Sequence, residues 1–458
     1  MTTVARGTWN SRFGFILAAA GSAIGLGNIW RFPYTAGQYG GGAFVLLYLV
    51  FVFAIGVPVL LSELAIGRET QRSPVSAFKK LVPNSPWWLV GFLGVLAGFG
   101  ILSFYAVIAG LTVGYAYLAF TGTFSGEIDA AKSGEIFGSI TSDPVWMVSL
   151  LALFMLLTIL VVRRGISGGI EKAARLLMPV LLSFLLLLVV RALTLEGASE
   201  GLAFMFSPDF SKLSLEAVVS ALGQALFSLS IGMGAMITYG SYLSKDENIP
   251  TSAASVALFD TGIAILGGLI IFPTLFTAGA DPAAGPGLIF VVMASIFNTL
   301  PLGNLVAVAF YVLLSIAALT STISLLEVIV AYFVDDKQWS REKATWTVGL
   351  TCFALGVPSA LSRGANATLS GGLNFLGKTD FLSIVDIICG TYFLTIGAAL
   401  ICIFVGWKWG VDAALTSIQR GGHRLPGAAA WKVLVRFVCP LAVASLVVFV
   451  MVTGGTVW

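Results

Sequence analysis

Apolar residues gather along the chain into long unbroken runs, and polar residues are confined to the segments between them. Eleven runs reach the roughly 20 residues that a helix needs to cross a hydrocarbon layer. They span 12–37, 41–67, 88–120, 144–162, 168–193, 217–242, 251–278, 303–333, 344–361, 381–404 and 433–453. Several are longer than a perpendicular crossing requires, which predicts tilted, bent or interrupted helices. With the N-terminus placed in the cytoplasm, most of the 25 Lys and Arg residues fall on the inner side, among them Arg12, Arg68, Arg163, Arg164, Lys245 and Lys337. This bias orients the chain in the cell inner (plasma) membrane, and eleven crossings place Trp458 outside. Two longer connections, 121–143 and 279–302, fall on the outer side, where such segments serve as lids. The first run carries glycines and an Arg and precedes no soluble domain, so it does not read as a cleavable signal.

Composition narrows the class. Of 458 residues, 58% are hydrophobic and 10% charged, against about 45–50% and about 25% in soluble domains. Mean hydropathy is +0.97. So few charges cannot cover the exterior of a soluble enzyme or a nucleic-acid binder, and the net charge of +3 points to no polyanionic partner. The lipid bilayer is the expected partner, and the expected class is an all-α membrane protein. Cys352, Cys389, Cys402 and Cys439 lie in apolar stretches without metal-ligand spacing, and the one histidine, His423, lies in a basic loop. A nucleophile–base pair or a metal site for an intramembrane enzyme is therefore not expected.

Glycines interrupt two runs. The first contains Gly21-Ser22-Ala23-Ile24-Gly25-Leu26-Gly27-Asn28, and the sixth contains Ser228-Leu229-Ser230-Ile231-Gly232-Met233-Gly234. Both carry Ile-Gly-apolar-Gly, and the three glycines of the first stretch disfavour a continuous helix. The breaks lie five spans apart. Because five is odd, a second five-helix unit sits upside down relative to the first, the signature of an inverted-repeat transporter with helices 1 and 6 broken at mid-membrane. The expected units are 1–193, 194–404 and a final segment, 405–458. Freed N–H groups at such breaks suit a carboxylate, and freed carbonyls suit a sodium ion.

The stretch Trp9 through Pro33 (WNSRFGFILAAAGSAIGLGNIWRFP) resembles the first-helix signature of the neurotransmitter:sodium symporters. The resemblance continues through GGGAF (40–44), Gln224 through Ser230, Ile237 through Tyr242, and Leu319-Thr320-Ser321. It covers nearly the whole chain and is nearest the bacterial eleven-span hydrophobic amino-acid transporters. It implies a sodium-coupled symporter that imports neutral hydrophobic or aromatic L-amino acids by alternating access, with two sodium ions and no covalent chemistry.

The resemblance also implies a site. The first sodium would be held by Ala23, Asn28, Ser228 and a residue of helix 7. Counting from Tyr242 gives Asp260 there, whereas counting back from Gly267-Gly268 gives Phe259; a phenyl ring cannot bind sodium, which favours Asp260. The second would use Gly21, Ile24, Ala317, Thr320 and Ser321. A substrate carboxylate would meet Leu26, Gly27 and Tyr105, under Phe227, with Ile101, Ser230, Met233 and Leu325 around the rest and Ala23 and Ser228 shared with the sodium. Arg31 and Asp386 would form an outer gate, with Asp380 the less well-spaced rival, and Arg6 and Asp335 an inner gate beside Trp9, Ser241, Tyr242 and Glu327. Glu63 matches a buried family carboxylate and reads as structural. Gly25 stands where amine-transporting relatives carry Asp, so the substrate must bring its own carboxylate. Asp260 would supply the negative charge for which many animal members need chloride, so no chloride requirement is expected. Gly169 and Pro179 bracket a polar start to helix 5, expected to be helical when the inside is closed and to unwind when it opens.

Overall fold

The computed structural model describes residues 7–453 apart from Ser125, Glu127, Ala284 and Asn298. The described residues are almost entirely helical. Among the described residues nine helices are long and apolar enough to cross a membrane. A tenth crossing forms if the pair Arg12–Ala23 and Gly27–Gln38, bent by 50°, is taken as one broken span. The eleventh expected crossing corresponds to Leu215–Ser228 and Ala235–Gly240, each too short to cross alone. The expected 381–404 helix is longer in the structure: it winds on through Phe404–Gly410, and after a turn at Gly410 (φ 94°) the chain resumes as Val411–Ile418, where Val411, Ala414 and Ile418 are buried.

The Gly303–Lys337 helix packs along Trp88–Phe120, and both lie against the first broken span or the elements beside it. This core positions the site. Helical phase along Gly303–Lys337 sets Ala317, Thr320, Ser321 and Ser324 on neighbouring turns of one side. The two long connections contain short helices, Ala130–Thr141 and Leu288–Phe297. They meet through Ser133 Oγ, which donates to the Val291 carbonyl at 2.8 Å, and through Phe137 stacked on Phe290 with ring centroids 5.9 Å apart.

The start of helix 5 is wound. Ile166–Glu171 forms a π-helical turn that runs into Lys172–Leu193, with Pro179 inside. The carboxylate of Glu171 accepts the Asn10 N–H at 2.7 Å and pairs with Arg175 at 2.6 Å, tying this turn to the beginning of the first helix.

Candidate functional site

Breaking a helix in an apolar interior strands N–H and C=O groups, each costing several kcal/mol if left bare. Here the broken ends find partners. Ile24 leaves helical geometry at φ −74°, ψ 111°. The Gly25 N–H then donates to Asn28 Oδ1 at 3.0 Å and the Leu26 N–H to the Tyr105 hydroxyl at 2.9 Å, while Gln224 Nε2 donates to the Gly27 carbonyl at 2.8 Å. In the second break Gly232 has φ 87°, and a Cβ there would lie 2.2 Å from the Leu394 carbonyl, so only glycine fits. Its N–H donates to Glu63 Oε1 at 2.6 Å. Glu63 also meets the N–H groups of Met236 and Ile237. This buried carboxylate therefore caps the broken helix.

Two oxygen clusters flank the breaks. In the first, Asn28 Nδ2 donates to Ser228 Oγ (3.1 Å) and Asp260 Oδ1 (2.7 Å), and Ser228 Oγ lies 2.9 Å from both Asp260 oxygens. Asp260 is fully buried. Tyr48, not anticipated from the sequence, donates to Asp260 Oδ2 at 3.2 Å, and its hydroxyl lies 3.3 Å from Ser228 Oγ. A buried tyrosine hydroxyl needs a partner, and that is the only sequence signal it offers. Phe259 is partly exposed on the same helix, so geometry as well as chemistry sets Asp260 in this cluster.

In the second cluster, Thr320 Oγ1 lies 2.9 Å from the Ala317 carbonyl and 3.4 Å from that of Ile24. Ser321 Oγ lies 3.3 Å from the Ile24 carbonyl and 3.4 Å from those of Ser22 and Ala317. Gly21 faces the same helix: a Cβ there would meet Thr320 at 3.3 Å. These oxygens are neutral and hard, a donor set suited to a monovalent cation rather than a transition metal. Among the described residues no three His, Cys, Asp or Glu side chains come together as a metal site.

Between the clusters lies a small cavity of about 20 Å³. Ala23, Gly27, Ile101, Tyr105, Phe227 and Ser228 line it, as do Ser230, Met233 and Leu325. Leu26 lies instead on the wall of a wider chamber of about 380 Å³, where its N–H reaches Tyr105. The cavity wall also includes Ser22, Gly25, Ser321 and Ser324, which the sequence did not single out as substrate contacts. Phe227 lines both spaces and so stands between them. Arg31 lies over its ring, 4.5 Å from the centroid.

Arg31 and Asp386 both line the wider chamber. Their charges act on one another. Asp380 caps the helix beginning at Phe381, accepting the Ser383 N–H at 3.0 Å. At the opposite, basic end the cavity is shut. Trp9 Nε1 donates to the Tyr239 carbonyl at 3.0 Å, and the Tyr242 hydroxyl to Glu327 at 2.6 Å. Arg341, unforeseen from sequence, makes an ion pair with Glu327 and donates to the Val162 carbonyl. Asp335 accepts the Ser73 N–H at 2.6 Å. Its expected partner Arg6 lies outside the described residues.

A membrane-embedded helical chain with two broken helices, a cavity between the breaks and hard-oxygen clusters beside them defines a secondary transporter rather than an enzyme. The model of the sodium:neurotransmitter symporter family matches residues 6–129 and 137–456. The sodium-dependent transporter YhdH of Bacillus subtilis (strain 168) is 42% identical over 97% of both chains. The sodium-dependent nutrient amino acid transporter 1 of Drosophila melanogaster is 27% identical, over 98% of this chain and 78% of its own. The crystal structure of MhsT in complex with L-phenylalanine superposes with a TM-score of 0.89 at 44% identity, covering 97% of this chain and 99% of that one. The chain belongs to the sodium:neurotransmitter symporter family. It is a sodium-dependent, multi-pass membrane transporter and not an enzyme.

Proposed function

We propose that this protein imports neutral hydrophobic or aromatic L-amino acids, coupled to two sodium ions, by alternating access. The observation that carries this reading is the cavity between the broken helices. One pole has the N–H groups that start the second half of helix 1, with Tyr105, where a helix N-terminus favours a carboxylate. The other walls are apolar, with Ile101, Met233 and Leu325, and no acidic side chain lines the cavity to receive an amine alone. MhsT, a close structural neighbour, was crystallised with L-phenylalanine, and the Drosophila relative is described as an amino acid transporter.

In this reading the Asn28–Ser228–Asp260 cluster with Ala23 holds one sodium, and Thr320, Ser321 and the carbonyls of Gly21, Ile24 and Ala317 hold the other. Sodium fixes the geometry of the breaks, the substrate carboxylate completes a sodium shell, and each binds more tightly in the presence of the other. Fixed negative charge at Asp260 makes chloride unnecessary. Residues 1–193 and 194–404 act as the two inverted halves, with 405–458 appended. The N-terminus and the basic end face the cytoplasm and the wider chamber faces outward. Arg31 and Asp386 close the outer side, and Arg6 and Asp335 the inner.

The test is counterflow of labelled amino acids in proteoliposomes, with and without a sodium gradient. Sodium-dependent exchange of leucine, phenylalanine and tryptophan is expected. Tight binding of tryptamine with no binding of leucine or tryptophan would overturn the substrate class. Binding without counterflow would make the protein a receptor rather than a carrier.

A further inference from the structure

The small cavity has a polar floor that the general reading leaves unused. Ser22 and Ser324 both line it, and their hydroxyl oxygens are 2.8 Å apart. Ser324 lies one turn beyond Ser321 along Gly303–Lys337, and Ser22 lies five residues before Gly27. The pair thus sits at the opposite end of the cavity from the carboxylate pole.

The direction of each hydrogen bond is fixed by partners that cannot donate. Ser324 Oγ lies 2.8 Å from the Ser321 carbonyl, so the proton of Ser324 goes there. Ser22 must then donate to Ser324. Ser230 Oγ lies 2.9 Å from the Ser22 carbonyl and spends its proton on it. All three protons are committed within the protein, whereas the lone pairs of Ser22 Oγ and Ser230 Oγ have no donor assigned to them among the described contacts. The floor is therefore a row of acceptors beside the apolar walls of Ile101, Met233 and Leu325.

We propose that Ser22, held by Ser324, is a specificity-determining residue that accepts a hydrogen bond from the substrate side chain, selecting amino acids with a donor at the far end, a phenol O–H or an indole N–H. The proposal rests on the reading of this cavity as the amino-acid site. A phenylalanine or leucine side chain leaves the acceptors dry, whereas a phenol O–H donates to one of them and keeps its donor bond on leaving water. Met233, an unbranched thioether flanked by Gly232 and Gly234, is the wall that can yield to admit a ring.

Competition uptake in proteoliposomes under an inward sodium gradient compares tyrosine with 4-fluorophenylalanine, a near-isostere without the donor, and with phenylalanine. In the unmodified protein tyrosine should compete about 3- to 10-fold better than 4-fluorophenylalanine, the range for one net hydrogen bond. Ser22→Ala should bring that ratio to about 1, with an unchanged melting temperature in detergent as the folding control. A tyrosine preference that is absent in the unmodified protein, or unchanged in Ser22→Ala, overturns the proposal and leaves amino-acid transport standing. Should a variant fail to fold, the tyrosine to 4-fluorophenylalanine ratio of the unmodified protein decides alone. Failure of every amino acid to show sodium-dependent uptake overturns both readings.

Discussion

Asp260→Asn tests the electrostatics of the first sodium cluster. The carboxylate is fully buried. It is held by Asn28 at 2.7 Å, Ser228 at 2.9 Å and Tyr48 at 3.2 Å, donors that stabilise its charge without cancelling it. A cation sharing the Asn28 and Ser228 oxygens would sit about 4 Å from it, where a unit charge contributes about 4 kcal/mol at an effective dielectric near 20. Asparagine keeps an oxygen of the same shape and so recovers part of this. A net loss of about 1.5–3 kcal/mol remains, or about 10- to 150-fold in sodium affinity. The assay is sodium titration of labelled amino-acid binding to purified protein, in chloride and in gluconate. The unmodified protein should give the same half-saturating sodium concentration in both salts, and the variant a value raised by at least about tenfold. A shift under twofold in the variant, or a several-fold loss in gluconate for the unmodified protein, would refute the assignment of the fixed charge.

Three further outcomes are expected. A Cβ at Gly25 would lie 2.6 Å from Ser321 Oγ and 2.7 Å from the Tyr105 hydroxyl; Gly25→Ala should therefore lower equilibrium amino-acid binding by about tenfold or more, a prediction that fails if its affinity matches the parent. Arg341→Ala strands the buried Glu327 carboxylate, which should cost about 3–5 kcal/mol and visibly lower the melting temperature in detergent, whereas Lys343→Ala, at an exposed position, should not. Pro179→Ala restores a missing backbone donor beside the wound turn at Ile166–Glu171; it should slow sodium release toward the basic end without changing equilibrium binding, and a wild-type transport rate together with sodium-independent hydrogen exchange across 169–179 would count against it.

The sequence by itself determined the membrane class, the extent of most helices and the two breaks. A crossing helix must satisfy its backbone within its own segment, so a run of apolar residues of the right length has few alternatives, and Trp88–Phe120 and Pro144–Val162 begin and end where the runs do. Glycine clusters at Gly25 and Gly232 likewise act locally, through backbone freedom that no neighbour supplies. What the sequence left open is what the breaks face. Tyr48, Ser324 and Arg341 lie in stretches where a polar side chain has many readings; Tyr48 and Ser324 acquire their meaning from residues far along the chain, Asp260 and Ser22, and Arg341 from Glu327 on the preceding helix. The same holds for Arg31 and Asp386, far apart in the chain, which the packing brings to the wall of one chamber. Local propensity fixes where a helix stops; only packing of distant helices decides which oxygen or hydroxyl waits at the gap, because a stranded backbone group or buried charge takes whatever partner the tertiary structure brings within hydrogen-bond reach.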